Sequence, residues 1–324
     1  MADYRVVLAS KKDLERWDTF VADSCNGTLF HRLAFLGYHG SRFSGKERHL
    51  VLKKGDESVA LISCTVTEEA GTRIMRSPYG GSYGGFLLRR PPSYSESSAI
   101  LNAFFAYVRL EGIGRICITP PLVCFSERPL DTFYFSMLEQ GFQLINRDVS
   151  SVVGFSERTE VSEVVSSRAR NMARKAMGAG VEIQHRAPLE DFYVPMGETF
   201  ARHGVPPTHT REELADLVTR FPENVYFDVA YLAGKPVGGV CCFELTSQVI
   251  TSFYLVQTVD GEEVQSLSLL VLKALERARS NGFTWFDFGT STHAMTARQN
   301  IFRFKESFGA CGMFRDTYEW SAPC

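Results

Sequence analysis

The segment SLSLLVLKALERARSNGFTWFDFG, residues 266 to 289, joins an amphipathic helix to an aromatic strand through a glycine. Its apolar residues recur at helical spacing: Leu267, Leu270, Ala274 and Ala278. Its charged residues occupy the opposite face: Lys273, Glu276, Arg277 and Arg279. Ser266 is the predicted N-cap, and Gly282 lies just beyond the predicted helix end. An amphipathic helix that leads directly into a strand predicts a helix packed on a sheet.

The strand after this helix ends in a polar segment that contains a glycine. Phe286 and Phe288 share one predicted face and Asp287 points to the other, because side chains alternate along a strand. Gly289 and the polar run from Thr290 to Thr292 follow. A carboxylate at such a strand end either lines a pocket or caps backbone amides in the next turn. We therefore predict an active-site rim here, with Asp287 as a candidate catalytic residue.

The order of elements in this region occurs twice in the chain. HLVLKKGDESVALISCTV (49 to 66) and VAYLAGKPVGGVCCFEL (229 to 245) each read as a hairpin with a glycine turn. More strand-like sequence, a helix, a glycine and another strand follow each hairpin, as in AILNAFFAYVRLEGIGRICITP (99 to 120). The pattern predicts an α/β protein with mixed sheets and an internal duplication. We predict two domains, residues 1–156 and 157–324.

The second half adds three predicted helices before its hairpin. VSEVVSSRARNMARKAMGAG predicts one helix whose inward residues are Val161, Val165, Met172 and Ala176. DFYVPMGETFARHG and TREELADLVTRF predict two more, the latter opened by a capping box of Thr210 and Glu213.

Size and composition exclude several classes of protein. With 324 residues and 44% hydrophobic content the chain is long enough for two cores. A net charge of −2 excludes global attraction to nucleic acid, so that any polyanion site must be local. The sequence shows no leader-like start and no run of eighteen apolar residues, which predicts a soluble, cytoplasmic protein without an integral membrane segment. The eight cysteines and seven histidines lack ligand spacing, so we predict reduced core thiols and no metal.

Several segments together resemble the Fem family of aminoacyltransferases, which are built from two tandem GNAT (acetyltransferase-like) domains. They are WDTFVADSCNGTLFHRLAFLGYHGSRF, RARNMARKAMGAGVEI, ARHGVPPTHTREEL, and FDFGTST followed by FRFKESFGA. The resemblance spans nearly the whole chain. It implies amide formation, in which an aminoacyl group moves from a charged tRNA to an amine of a cell-wall precursor or secondary metabolite. Other relatives are acyl-CoA-dependent N-acyltransferases.

The same resemblance places Phe304 and Lys305 beside the reacting acyl ester. A fixed ammonium such as that of Lys305 would stabilise the negative charge that forms on the carbonyl oxygen, and Phe304 would exclude water from it. Without the resemblance, Arg303 and Lys305 are also consistent with outward charges that flank an inward Phe304 on a strand.

Other site residues follow from the family pattern less directly. His39 falls where the family has a lysine, which weakens the case for a nucleotide-sugar acceptor because a permanent charge is lost. The remaining predicted substrate-binding residues lie in loops or at strand ends: Tyr79, Tyr83, His209, Arg211, Tyr254 and Ser291. Asp287, His39 and His209 are candidates to accept the proton of the amine, and a substrate-assisted route needs none of them.

The sequence leaves two classes of acyl donor open, aminoacyl-tRNA and acyl-CoA. A basic run with no acid predicts tRNA phosphate contacts or, alternatively, a solvated helix face: Arg168, Arg170, Arg174 and Lys175. The TVDGEEV segment lacks a glycine-rich phosphate loop and carries three acids, which disfavours acyl-CoA. We predict no cofactor, an aminoacyl-tRNA co-substrate, and a small-molecule or cell-envelope amine as acceptor. Two alternatives stay open, an acyl-CoA-dependent N-acyltransferase and a non-catalytic binding module on the same fold.

Overall fold

The computed structural model describes residues 4–156 and 158–323. Within them the chain forms two compact units. Unit 1 contains the residues up to 148 together with those from 314 onward, and unit 2 contains residues 149–313.

Unit 1 is built around a mixed sheet. Its strands are β1 (Tyr4–Leu8), β2 (Glu47–Lys54), β3 (Glu57–Glu69), β4 (Thr72–Ser77), β5 (Leu87–Leu88) and β6 (Ile113–Ile118), with parts of β7 (Gln143–Gly154) and β15 (Cys311–Ser321). Its helices are α1 (Lys11–Glu15), α2 (Trp17–Asp23), α3 (Leu33–Leu36), α4 (Tyr94–Leu110) and α5 (Asp131–Glu139). Short 3-10 turns occur at Leu29–His31, Gly37–His39 and Val123–Phe125.

The strands of unit 1 follow the order β1-β2-β3-β4-β6, and the end of β15 pairs with β6. All pairs are antiparallel except β4 with β6, which α4 connects. A capping box of Ser93 and Glu96 opens α4. The helix buries Leu101, Phe104 and Val108 against the sheet, which encloses the core of this unit.

Unit 2 contains the end of β7 and the start of β15, with β8 (Val181–Gln184), β9 (Val225–Leu232), β10 (Lys235–Glu244), β11 (Val249–Gln257), β12 (Trp285–Thr290), β13 (Thr292–His293) and β14 (Thr296–Ala297). Its helices are α6 (Val161–Val164), α7 (Ser167–Gly178), α8 (Leu189–His203), α9 (Arg211–Arg220), α10 (Val259–Glu263), α11 (Ser266–Ser280) and α12 (Gln299–Ser307).

The sheet of unit 2 has the order β7-β12-β11-β10-β9-β8, and β13 and β14 form a separate hairpin. Its one parallel pair is β11 with β12, which α11 connects. Phe286 and Phe288 of β12 point into the core, as the alternation predicts. The predicted capping box of Thr210 and Glu213 is present at the start of α9.

Both units therefore repeat one order: hairpin, strand, helix, parallel strand. They differ in the source of the strand that completes the sheet. In unit 2 residues 150–154 of β7 pair with β12, whereas in unit 1 Tyr318–Ser321 of β15 pair with β6. The compact units thus divide at residue 149, with β15 from residue 314 onward in unit 1, rather than at the predicted residue 156.

Three local predictions need correction. The single helix predicted from Val161 is broken into α6 and α7, because Val165 is extended and Ser166 caps a new helix. Ser266 is the first residue of α11, whose N-cap is Gln265 in a left-handed conformation (φ 64°). Arg277 does not face solvent, since its guanidinium forms an ion pair with the buried carboxylate of Asp228.

The cysteines of the described residues are all free, and most are buried or half-buried. Cys311 is exposed, contrary to the prediction of core thiols, and Cys324 lies outside the described residues. Among the described helices, none has both the length and the apolar composition to cross a bilayer.

Candidate active site

Lys305 lies on the inner side of α12. The phenylalanines on this helix hold it against the core: Phe308 is buried, Phe304 packs against the same cluster, and their ring centroids are 5.1 Å apart. Lys305 is only 5% exposed, and its Nζ donates hydrogen bonds to the carbonyl oxygens of Gly289 and Thr290, each at 2.8 Å. The alternative with Lys305 as an outward charge on a strand is wrong, since the segment is helical and only Arg303 faces solvent.

Asp287 is buried beside this lysine. One carboxylate oxygen accepts hydrogen bonds from Ser150 Oγ at 2.7 Å and from the backbone N–H of Gly289 at 2.8 Å. The other accepts from Thr251 Oγ1 at 3.2 Å. The structure therefore contains the turn cap that the sequence left as an alternative. With 1% exposure and three donors, Asp287 is placed to hold the turn and to face the charge of Lys305.

The two ionisable groups perturb each other. Burial lowers the pKa of Lys305 to about 8, although the charge of Asp287 opposes the change; the nearby charge of Arg298 lowers the pKa further. Burial likewise raises the pKa of Asp287, against its hydrogen bonds and the charge of Lys305. Below pH 8 the lysine is therefore an ammonium that can lose its proton far more easily than a surface lysine.

A wedge opens in the sheet next to this pair. β11 and β12 pair only from Val249 to Thr251 and from Trp285 to Asp287. β11 then continues to Gln257 and β12 to Thr290, and the described residues show no further pairing between them. Gly289 and Thr290, whose carbonyl oxygens hold the Lys305 ammonium, belong to the part of β12 that does not pair with β11.

His209, Arg211 and Tyr254 lie together in another part of unit 2. The Tyr254 hydroxyl is 2.8 Å from His209 Nδ1 and accepts the His209 backbone N–H at 3.1 Å. Arg211 begins α9, forms an exposed ion pair with Glu190 and lies over the ring of Tyr193 at 5.4 Å. Both His209 and Tyr254 are buried, whereas Arg211 is exposed.

An apolar groove of about 500 Å³ adjoins this group. It is lined by residues of α8 and of the loop before α9: Tyr193, Met196, Gly197, Phe200, Ala201, Gly204, Val205, Pro206 and Pro207. The ring of Phe200 meets the ring of Tyr254 edge-on with centroids 5.8 Å apart, so the groove and Tyr254 share a wall.

His39, Tyr79 and Tyr83 all lie in unit 1, and all are buried. His39 Nε2 is 2.8 Å from the carbonyl oxygen of Gly80. The ring of Phe43 links His39 to Tyr79, with centroid distances of 5.0 and 5.1 Å. Burial raises the pKa of Tyr79, so its hydroxyl is neutral. These residues form a packed aromatic cluster behind the Gly80 turn.

The predicted phosphate-binding residues lie on α7 and divide into two kinds. Arg168 and Arg174 are exposed. Arg170 instead folds back to donate to the carbonyl oxygens of Ser162 and Val165, and Lys175 Nζ donates to the carbonyl of Glu263 at 2.7 Å. Half of this basic set is thus engaged within the protein.

Ser291 is fully buried, with its Oγ 2.6 Å from Ser151 Oγ. Sequence reasoning missed Ser150 and Thr251, because their contact with Asp287 depends on strand pairing. It also missed Arg298, which precedes α12 as its N-cap residue and whose charge lowers the pKa of Lys305. Residues 4–156 and 158–323 contain no cluster of three or more potential metal ligands.

Comparisons with known proteins agree with this architecture. Residues 165–306 match the model of the acetyltransferase (GNAT) domain. The crystal structure of FemX superposes with a TM-score of 0.71 at 12% identity, covering 98% of this chain and 97% of FemX. A tandem GNAT protein from the clavulanic acid biosynthesis pathway gives a TM-score of 0.59 at 13% identity, with complete coverage of both chains. The L-PGS of Bacillus licheniformis gives 0.58 at 12% identity, with 97% and 93% coverage.

A comparison of the sequence with curated proteins found no match. The predictions of a Fem-like resemblance, of an α/β fold with tandem GNAT units and of an acyltransferase are confirmed. The chain has the tandem GNAT fold that FemX shares, and residues 165–306 match the model of the acetyltransferase (GNAT) domain.

Proposed function

We propose that this protein forms amide bonds by moving an aminoacyl group from aminoacyl-tRNA to an amine of a small molecule, a secondary metabolite or a cell-envelope precursor. The observation that carries the proposal is the buried ammonium of Lys305. It is fixed by the carbonyl oxygens of Gly289 and Thr290 beside Asp287, on the part of β12 that does not pair with β11. Burying an ammonium is costly, so a lysine held in the interior next to a carboxylate is a candidate for a functional role.

In the proposed reaction the acceptor nitrogen attacks the carbonyl carbon of the aminoacyl ester. A C–N bond forms, and the carbonyl oxygen becomes an oxyanion. Two hydrogens of the Lys305 ammonium are directed to Gly289 and Thr290, which leaves the third for the oxyanion. When the C–O bond of the ester breaks, the ribose oxygen leaves with a proton, and the amide remains on the acceptor.

The attacking amine must also lose a proton. Asp287 is buried and accepts three hydrogen bonds, and the rings of His39 and His209 are buried as well. We therefore favour water or a carboxylate of the acceptor itself as the proton acceptor. Asp287 would act as a positioning residue that keeps Lys305 charged, since its own charge raises the pKa of the lysine.

The start of α11 supports tRNA over acyl-CoA. Ser266 is completely buried there, and the short helix α10 precedes it with the exposed acids Asp260, Glu262 and Glu263. The free backbone N–H groups at a helix start can bind a pyrophosphate, but acidic side chains at the same place repel it. Arg168 and Arg174 on α7 offer exposed cations for tRNA phosphates.

The acceptor site is proposed around Tyr254, His209 and Arg211. The apolar groove beside Tyr254 would hold an apolar part of the acceptor, and Arg211 an anionic part. The C-terminal domain of a putative lysylphosphatidylglycerol synthetase from Agrobacterium fabrum has a similar fold, at 11% identity and a TM-score of 0.60. Its name joins a lysyl group to a lipid, so an acceptor with an apolar portion is compatible with the fold.

An acyl-CoA-dependent N-acyltransferase is the second candidate. The model that matches residues 165–306 is that of an acetyltransferase domain, and the wedge between β11 and β12 would accept an extended acyl arm. One experiment distinguishes the two candidate functions. Radiolabelled aminoacyl-tRNAs and acyl-CoAs are each incubated with the protein and pooled amines, and consumption of each donor is measured.

We expect consumption of aminoacyl-tRNA, loss of turnover in Lys305→Met, and unchanged turnover in the control Lys235→Met, which removes an exposed lysine. The double variant Asp287→Asn/Lys305→Met removes both buried charges and should fold while remaining inactive. Consumption of acyl-CoA alone would establish the second candidate. No turnover with either donor would favour a non-catalytic binding module and refute the proposal.

A further inference from the structure

The segment between β12 and α12 contains an exposed hairpin in a strained conformation. β13 and β14 pair through Thr292 with Ala297 and through His293 with Thr296. The two turn residues, Ala294 and Met295, have φ angles of 47° and 59°. Turns of this kind favour glycine or asparagine, because a Cβ is disfavoured in the left-handed region. Strain kept in an exposed segment points to a functional constraint.

The base of this hairpin is held firmly in unit 2. The Ser291 N–H donates to the carbonyl of Val149 at 2.7 Å, and the Val149 N–H donates to Thr292 Oγ1 at 2.8 Å. The Arg298 N–H donates to the Ser291 carbonyl at 3.0 Å and closes the loop. The backbone of Arg298 is therefore fixed, although its side chain is exposed.

Arg298 is the N-cap residue of α12, and Lys305 lies seven positions further along the chain. Seven residues make nearly two helical turns, which places their Cα atoms roughly 10 Å apart along the helix axis. Lys305 points into the protein at one end of this line, and the exposed Arg298 stands at the other. Within the described residues the Arg298 guanidinium has no ion pair or hydrogen bond, whereas most arginines of unit 2 are paired. The charge of Arg298 nevertheless reaches Lys305, whose pKa it lowers.

We propose that Arg298 is a specificity-determining residue that binds a phosphate group of the acyl donor while Lys305 holds the reacting carbonyl. This inference rests on the proposed function. A guanidinium fork matches the oxygens of a phosphate, and both classes of donor carry phosphate esters. The hydrogen bond from the Arg298 backbone N–H to the Ser291 carbonyl ties the start of α12 to the base of the hairpin.

The spacing favours the tRNA source. In an aminoacyl-tRNA the phosphate of the terminal nucleotide is separated from the ester by a single sugar. In an acyl-CoA the pyrophosphate is separated from the thioester by the whole pantetheine arm. The Cα atoms of Arg298 and Lys305 are roughly 10 Å apart, and this separation suits the single sugar of the tRNA better than the pantetheine arm of CoA.

The test measures binding, which needs no turnover. Fluorescence anisotropy would follow uncharged tRNA, and calorimetry CoA, with the wild-type protein, Arg298→Gln and the matched control Arg303→Gln. Arg303 is also exposed and lies on α12 itself, five positions after Arg298. Both side chains are exposed, so both variants should fold.

We expect Arg298→Gln to weaken tRNA binding about tenfold and to reduce the slope of log K against log salt by about one phosphate contact. Arg303→Gln should stay within about twofold of wild type. If Arg298→Gln instead weakens CoA binding about tenfold and leaves tRNA binding unchanged, the phosphate site is supported and its phosphate comes from CoA. Equal losses in both variants, or none in Arg298→Gln, would overturn the inference.

This result is separable from the proposed function. If Lys305→Met abolishes transfer while Arg298→Gln binds both donors normally, the inference fails and the function stands. If Arg298→Gln weakens tRNA binding but no aminoacyl group is ever transferred, the phosphate site stands and the function fails.

Discussion

The depressed pKa of Lys305 predicts an unusual dependence of stability on pH. In the unfolded chain this lysine titrates near its ordinary value of 10.5, and in the folded protein near 8. Between these values the unfolded state holds one proton more than the folded state, so the free energy of unfolding rises with pH across this window. One pKa unit corresponds to about 1.4 kcal/mol, which gives a rise of about 3 kcal/mol from pH 8 to pH 10.5.

The variant Lys305→Met removes this proton without adding a polar group. Urea denaturation followed by circular dichroism, at intervals from pH 7.5 to 10.5, would give the free energy of unfolding of both proteins. The wild type should gain about 3 kcal/mol relative to Lys305→Met over the window, because all other titrations cancel in the difference. Lys235→Met, which removes an exposed lysine, should run parallel to the wild type. If the free energy of unfolding of Lys305→Met depends on pH in the same way as that of the wild type, Lys305 titrates normally and is not a buried cation.

Four further predictions concern the framework of unit 2. Thr210→Ala removes the capping box of α9 and should lower the free energy of unfolding by about 1 kcal/mol, as measured by urea denaturation. Asp228→Ala leaves a buried guanidinium without its partner and should cost about 3–5 kcal/mol, a loss visible in the thermal midpoint; an unchanged midpoint would refute the pairing. Gly261→Ala would push a Cβ into the carbonyl of Val237 and should yield little soluble protein. A Cβ added at Gly197, in the middle of α8, would have no atom within 4 Å. Gly197→Ala should therefore raise the free energy of unfolding by about 0.5–1 kcal/mol, as measured by urea denaturation.

Local signals in the sequence predicted local structure well. Both hairpins, the helix of residues 266 to 280, the inward phenylalanines of β12 and the capping box at Thr210 depend on residues a few positions apart. The spacing of Phe304 and Phe308 also fits a helix, and read this way it would have placed Lys305 on α12 from the start. The errors arose where tertiary packing decided the result. Arg277 turns inward because Asp228, 49 residues away, is buried beneath it.

The environment of Lys305 could not be read from the sequence for the same reason. Asp287 depends on Ser150, which is 137 residues away, and on Thr251, which is 36 residues away, and both reach it only because β7 and β11 flank β12. The hydroxyls of Ser150 and Thr251 stabilise the charged carboxylate of Asp287 in the interior. The charge of Asp287 in turn opposes the effect of burial, which lowers the pKa of Lys305. If either hydroxyl is removed, the pKa of Asp287 should rise and the opposing charge at Lys305 should weaken. The environment of the Lys305 ammonium therefore depends on the pairing of β12 with β7 and β11, which the local sequence around Lys305 does not contain.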